Sequence, residues 1–215
     1  MWSFPEFFEH CDGYWSIERT YHTPSTGEVE RSHTDYHVTP LTDGEKLPLL
    51  AVAGGQVVFD QALLRQNPAL IPGFQITFET LSEKGERRAM GLKALFVSDT
   101  YLQKDDSSPL ALPLAAAVGH DPEIIQGYYL RDHGYEEAGA IAGRFTYQPQ
   151  RHCLEMTTYY QQSVAVDQMH FLDAATRLRT ITTYRRPLLN EIPTEITLVG
   201  FGLEKRYKFA EAPQA

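Results

Sequence analysis

The segment Thr176-Arg177-Leu178-Arg179-Thr180-Ile181 carries two arginines two residues apart. In a strand, where side chains alternate between faces, both point to the side shared by Ile181 and Thr183. Turned inward they form a fork suited to a carboxylate-bearing ligand; turned outward they are a basic stripe, and spacing alone leaves both readings open. The same period places Trp15, Ile17, Arg19 and Tyr21 on one face of Gly13 to His22. If that face is interior, Arg19 asks for an anion beside it, because an unpaired charge is costly to bury; if the strand is partly exposed, Arg19 is a surface residue, and both readings stay open. In Leu198 to Arg206, Glu204 and Arg206 share one side while Leu203 and Lys205 share the other. Glu204 therefore either faces arginines across a cavity or is a solvated rim charge. Arg144 follows Gly143, a residue that lets a second backbone or a ligand approach. The adjacent Tyr159 and Tyr160 must point oppositely, which sets one ring inward against a flat ligand if the strand lines a cavity.

The elements that would position these side chains are strands. Ser3 to Asp12 reads as a short helix, from its serine cap, Pro5 in the first turn and an early glutamate, placed to plug one mouth of a barrel. Strand-like runs follow at 13–22, 28–38, 74–81, 87–98, 124–131, 138–147, 153–163, 165–172, 176–185 and 194–209. The 28–38 run is polar on both faces, so the pattern does not say which side is buried. Residues 48–59 read as an apolar strand pair around Gly54-Gly55, Gln61 to Asn67 as a short helix ended by Pro68, and 102–113 as the longest loop. About ten sequential strands with few helices and no βαβ rhythm predict an all-β, up-and-down antiparallel barrel, since closure removes exposed strand edges. A β-sandwich is the alternative. A barrel of about eight to ten strands is just wide enough to hold one small ligand. The even spread of elements predicts one domain over residues 1–215.

Composition removes several function classes. With 19 basic and 28 acidic side chains the net charge is −9, which argues against a nucleic-acid partner. Cys11 and Cys153 stand far apart without C-x-x-C spacing, so the sequence predicts buried thiols rather than a disulfide framework, a zinc cluster or nucleophiles. No apolar run approaches the roughly 18 residues of a membrane span, and Met1 to Cys11 lacks the pattern of a secretory signal. The expected address is cytoplasmic.

Several motifs, taken in order, carry a family resemblance. Glu6-Phe7-Phe8 followed by Gly13-x-Trp15 and Arg19-Thr20-x-His22 is similar to the opening of the CpcS/CpeS-type phycobiliprotein chromophore lyases. Asn67-Pro68-Ala69-Leu70-Ile71-Pro72-Gly73 resembles that family's D-P-x-L-x-x-G turn, and it leads into Gln75-Ile76-Thr77-Phe78 where the family shows R-V-x-W. Leu130-Arg131-Asp132-His133-Gly134-Tyr135-Glu136-Glu137 and Ile141-Ala142-Gly143-Arg144-Phe145 resemble L-R-x-x-G-Y-x-E and V-A-G-R-Y. Arg177-Leu178-Arg179 and Glu204-Lys205-Arg206 resemble the R-x-R strand and the terminal S-E-I-R.

The resemblance implies a lipocalin-like barrel that binds a phycobilin, such as phycocyanobilin or phycoerythrobilin, as substrate and not as a prosthetic group. It implies thioether attachment of that bilin to a cysteine of a phycobiliprotein alpha or beta subunit. It also implies that Trp15, Arg19, His22, Arg177, Arg179 and Glu204 occupy bilin-handling positions. Phe78 stands in place of a family tryptophan, and Tyr159 with Gln161 in place of two glutamates. A bilin is flat and bears two propionates, so arginines should hold the carboxylates while aromatics pack its face. The expected ligand-binding set is Trp15, Arg19, Phe78, Arg144, Tyr159, Arg177 and Arg179. Thiol addition to the ring A ethylidene is easier on a cationic bilin, and Glu204 is the carboxylate assigned to stabilise that form. His22 is assigned to ligand positioning or proton relay by resemblance, although parity sets it opposite Trp15 and Arg19. The acceptor supplies the thiolate. A homodimer, or a heterodimer with a related lyase, stays open. A non-catalytic carrier of a bilin, haem or fatty acid is the alternative function, and a protein-binding scaffold the third.

Overall fold

A computed structural model of the chain describes residues 1–53, 57–103, 123–134, 139–188 and 191–207. Ten antiparallel strands close into one barrel in the order β1-β10-β9-β8-β7-β6-β5-β4-β3-β2. They are β1 (Gly13–Thr23), β2 (Glu28–Pro40), β3 (Gly73–Ser82), β4 (Arg87–Ser98), β5 (Ile125–Arg131), β6 (Ile141–Gln148), β7 (Cys153–Tyr159), β8 (Ser163–Asp173), β9 (Thr176–Arg185) and β10 (Ile196–Tyr207). Each strand pairs with its sequence neighbours and β1 closes onto β10, the up-and-down topology expected from the sequence. No helix among the described residues is long and apolar enough to cross a membrane.

The helix α1 (Phe4–Glu9) forms for the reasons its sequence gives. Ser3 Oγ accepts from the Glu6 N–H while the Glu6 carboxylate accepts from the Ser3 N–H at 2.7 Å, a reciprocal capping box. Its buried Phe4, Phe7 and Phe8 enter the barrel and pack with Trp15, Phe96, Phe145, Tyr147 and Phe171. That aromatic plug closes the end of the barrel where β1 begins.

Of the expected strand pair over 48–59, residues 48–53 are helical instead. In α2 (Asp43–Ala53) Thr42 donates its N–H and hydroxyl to the Glu45 carboxylate, which fixes the first turn, and Leu49 and Leu50 turn inward from it. A short apolar run reads alike as buried strand or buried helix, and the acidic start at Asp43 and Glu45 decides for helix. Beyond it, Phe59 makes an isolated bridge to Leu102 rather than joining a sheet. The short helix α3 (Gln61–Gln66) follows, capped by the Asp60 carboxylate. Leu49, Leu50 and Leu64 join Leu95, Val97, Tyr128 and Leu130 in a second core, outside the barrel against β4 and β5. Most of the expected 102–113 loop, Gly54-Gly55, Tyr135 to Glu137 and residues 208–209 lie outside the described residues.

Candidate functional site

Strand registers decide which side chains face the interior, because directly paired residues share a face. Trp15 pairs Arg206 and Tyr36, Ile17 pairs Glu204 and Thr34, Arg19 pairs Gly202 and Ser32, and Tyr21 pairs Gly200. Glu204 in turn pairs Arg177, and Gly202 pairs Arg179. Across β8 and β9 Arg177 pairs Phe171, Arg179 pairs Met169 and Ile181 pairs Asp167. Tyr36 pairs Phe78, which pairs Met90. All of these lie on the inner face. The polar strand β2 is settled as well: Ser32, Thr34, Tyr36 and Val38 are its buried set.

At the base of the interior, directly above the plug, is an ionic cluster. Arg177 and Glu204 are fully buried and form an ion pair at 2.7 Å. The Arg177 guanidinium lies 3.7 Å from the Trp15 ring centroid and donates to the Tyr36 hydroxyl. Trp15, also fully buried, donates its Nε1–H to the Cys11 carbonyl at 2.9 Å. Arg179 donates from Nε to Glu204 at 2.9 Å and from Nη1 to Asp167 at 2.9 Å. Burial opposes the Glu204 charge, yet the two guanidiniums outweigh it and hold its pKa at about 2. Burial likewise opposes the charge on Arg179, and Asp167 and Glu204 reverse that effect to hold its pKa well above the ordinary value.

Farther from the plug, Tyr21, Phe78, Met90, Asp167 and Ile181 face inward but remain half-buried. A sealed interior would bury them completely, so this half of the barrel is open to solvent. Arg19 points into the same space. Its Nε is buried without a partner, and among the described residues it makes no hydrogen bond or ion pair. Burial works against its charge, but Tyr21 and Glu204 outweigh that and raise its pKa despite the neighbouring Arg179.

The nine residues singled out from the sequence thus fall into three groups. Trp15, Arg177 and Glu204 form the sealed base, and Arg19, Arg179 and Phe78 face the open interior. His22, Arg144 and Tyr159 are on the outer face, which corrects the expectation that they reach a ligand inside. His22 pairs Val199 and Val29 and stacks on the exposed Phe201 at 5.7 Å, with no bulge to reverse its parity. Arg144 pairs Tyr128, lies over that ring, and is held by Asp99 through two bonds of 2.7 and 2.5 Å. Tyr159 pairs Val164, and Arg186 lies over its ring. Asp167 was not singled out. Its signal was the one used for Arg19: it shares the inward period of β8 with Met169 and Phe171, a charge on an apolar face.

Acid unfolding reads the base cluster directly. Because Glu204 has a lower pKa folded than its unfolded value of 4.5, its pairing stabilises the fold above about pH 4.5, and that contribution is lost as pH falls toward about 2. Denaturation midpoints measured from about pH 6 down to about pH 2 should fall across this window, and less steeply in Glu204→Gln.

A closed barrel with one end plugged and the other opening onto arginines and a half-exposed carboxylate is a ligand-binding β-barrel. The sequence profile of the CpeS-like proteins matches residues 3–108 and 101–207, and the chain belongs to this family. Chromophore lyase CpcS/CpeS 1 of Synechococcus sp. (strain JA-3-3Ab) is 37% identical over 203 residues, covering 94% of this chain and 96% of that protein. The S-type phycobiliprotein lyase CPES of Guillardia theta shares the fold, with a TM-score of 0.62 at 16% identity over 96% of this chain and 94% of that one.

Proposed function

We propose that this protein is a chromophore lyase that binds an open-chain tetrapyrrole in the open half of its barrel and promotes thioether attachment to a cysteine of a phycobiliprotein subunit. The observation that carries the binding reading is Arg19. In the interior cluster Arg177 and Arg179 are paired with Glu204 and Asp167, and Arg19 is paired with neither. Among the described residues Arg19 faces the interior with no hydrogen-bonded or ion-paired anion, which fits one propionate of a bilin. Phe78 supplies an apolar face to the conjugated rings, while Trp15, Arg177 and Glu204 act from below by fixing Arg179.

Asp167 is the carboxylate placed to meet the pyrrole nitrogens. Its side chain is 29% exposed where that of Glu204 is 0% exposed, and only one of its oxygens is taken by Arg179. A carboxylate there stabilises the protonated bilin, which withdraws electrons from the ring A ethylidene and favours addition of the acceptor's thiolate. Burial raises the Cys11 thiol pKa, and burial with Glu155 raises that of Cys153 to about 11, so at neutral pH neither competes as a nucleophile.

The test is to mix the purified protein with phycocyanobilin, follow visible absorption, then add an apo acceptor subunit and measure dye that survives denaturation. Uptake followed by covalent transfer is expected; uptake without transfer to any acceptor would leave only a carrier. Arg19→Gln should weaken uptake about tenfold or more while the melting temperature stays near that of the parent, because Arg19 forms no ion pair or hydrogen bond among the described residues. Unchanged uptake in that variant would remove Arg19 from the site.

A further inference from the structure

Tyr21 is placed specifically on the inner face of the barrel. It follows Arg19 by two residues on β1, on the same inward face, and pairs Gly200 of β10. A Cβ on Gly200 would lie 2.6 Å from Tyr21 Cδ1 and 2.7 Å from Cε1, with Ile181 Cβ at 3.7 Å. The ring therefore occupies the space a side chain at 200 would take, laid across β10 toward β9. Only glycine leaves that space free.

Lying flat, the ring is half-buried and presents its remaining surface to the open interior. Its hydroxyl makes no hydrogen bond among the described residues. A hydroxyl donor and a guanidinium thus stand side by side on one strand, neither bonded to a protein acceptor among the described residues, since the Glu30 carboxylate across from Tyr21 is held by Lys84 at 3.3 Å. A carboxylate takes several donors at once, and a phenol beside an arginine supplies one more. A flat ring against the wall suits a planar conjugated ligand.

We propose that Tyr21 is a second contact of the site that holds a ligand carboxylate at Arg19, an inference that rests on the bilin-binding reading above. Its O–H donates to the propionate paired with Arg19, and its ring is the wall against which the pyrrole bearing that propionate lies. Gly200 is the positioning residue that keeps the ring flat.

Absorption titrations with biliverdin and with its dimethyl ester test this on the whole chain. Tyr21→Phe keeps the ring over Gly200 and removes only the hydroxyl, so affinity for the free acid should fall about tenfold while affinity for the ester is unchanged. Gly200→Ala keeps the hydroxyl but forces the ring off the wall, so the bound absorption band should shift with both ligands. Equal binding of both ligands by Tyr21→Phe and parent, or an equal loss for acid and ester, would overturn the hydroxyl contact. An unshifted band in Gly200→Ala would overturn the wall. Failure of the parent protein to take up either ligand would instead overturn the bilin-binding reading on which the inference rests.

Discussion

Glu204→Gln is expected to lower the melting temperature by on the order of 10 °C, before any question of catalysis arises. The substitution keeps the volume of the side chain but removes the carboxylate that, among the described residues, pairs with the fully buried Arg177. Breaking a buried ion pair from one side costs about 3–5 kcal/mol because the remaining charge is uncompensated. In a chain of this size each kcal/mol moves the midpoint by about 2–4 °C. Arg179 retains Asp167 and is affected less. The companion variant, Glu204→Gln with Arg177→Met, removes both charges and should recover most of the lost stability, since an apolar residue of similar length fills the place over the Trp15 ring. Differential scanning calorimetry on parent, single and double variants checks this. A single variant with a parental midpoint that has lost chromophore transfer would mean instead that Glu204 acts on the bilin itself.

The side chains that the sequence located correctly are those for which one physical signal sufficed. Period two put Trp15, Ile17, Arg19 and Tyr21 on one face and Arg177 and Arg179 on another, and an all-β barrel made both faces interior. What spacing did not contain was how far each residue lies from the plug. Trp15 and Arg177 share the inner face with Arg19, yet they lie one or two pairs nearer to α1 and are sealed by its phenylalanines. His22 was assigned by resemblance, against parity, and Arg144 because it follows Gly143, and the registers put both outside. There Arg144 ties β6 to Asp99 at the end of β4, a structural use for a buried arginine that its neighbour Gly143 did not announce. The β2 strand, polar on both faces, was resolved only by partners remote in sequence: Tyr36 turns inward where it meets Arg177, 141 residues away.

Asp167→Asn separates the proton-handling carboxylate from the structural one, and its expected effect is the largest on the reaction. Asparagine keeps the shape and one acceptor oxygen, so the bond from Arg179 Nη1 persists in weaker form and Glu204 still neutralises that guanidinium. The fold should therefore hold within a few degrees, unlike Glu204→Gln. Uptake of bilin should also hold, because removing a negative charge from the cavity wall favours the propionates if anything. Transfer is different. Without a carboxylate to stabilise the protonated tetrapyrrole, addition of the acceptor thiolate should slow by about a hundredfold, the scale of one well-placed electrostatic or acid–base contribution. The bound chromophore reports the cause independently of turnover: its red absorption should be lost at neutral pH in the variant and return when the solution is acidified, since solvent then supplies the proton that Asp167 had stabilised. Binding, spectrum and transfer all at parental values would exclude Asp167. A loss of transfer with the red band intact would place its role in docking the acceptor rather than in charging the bilin.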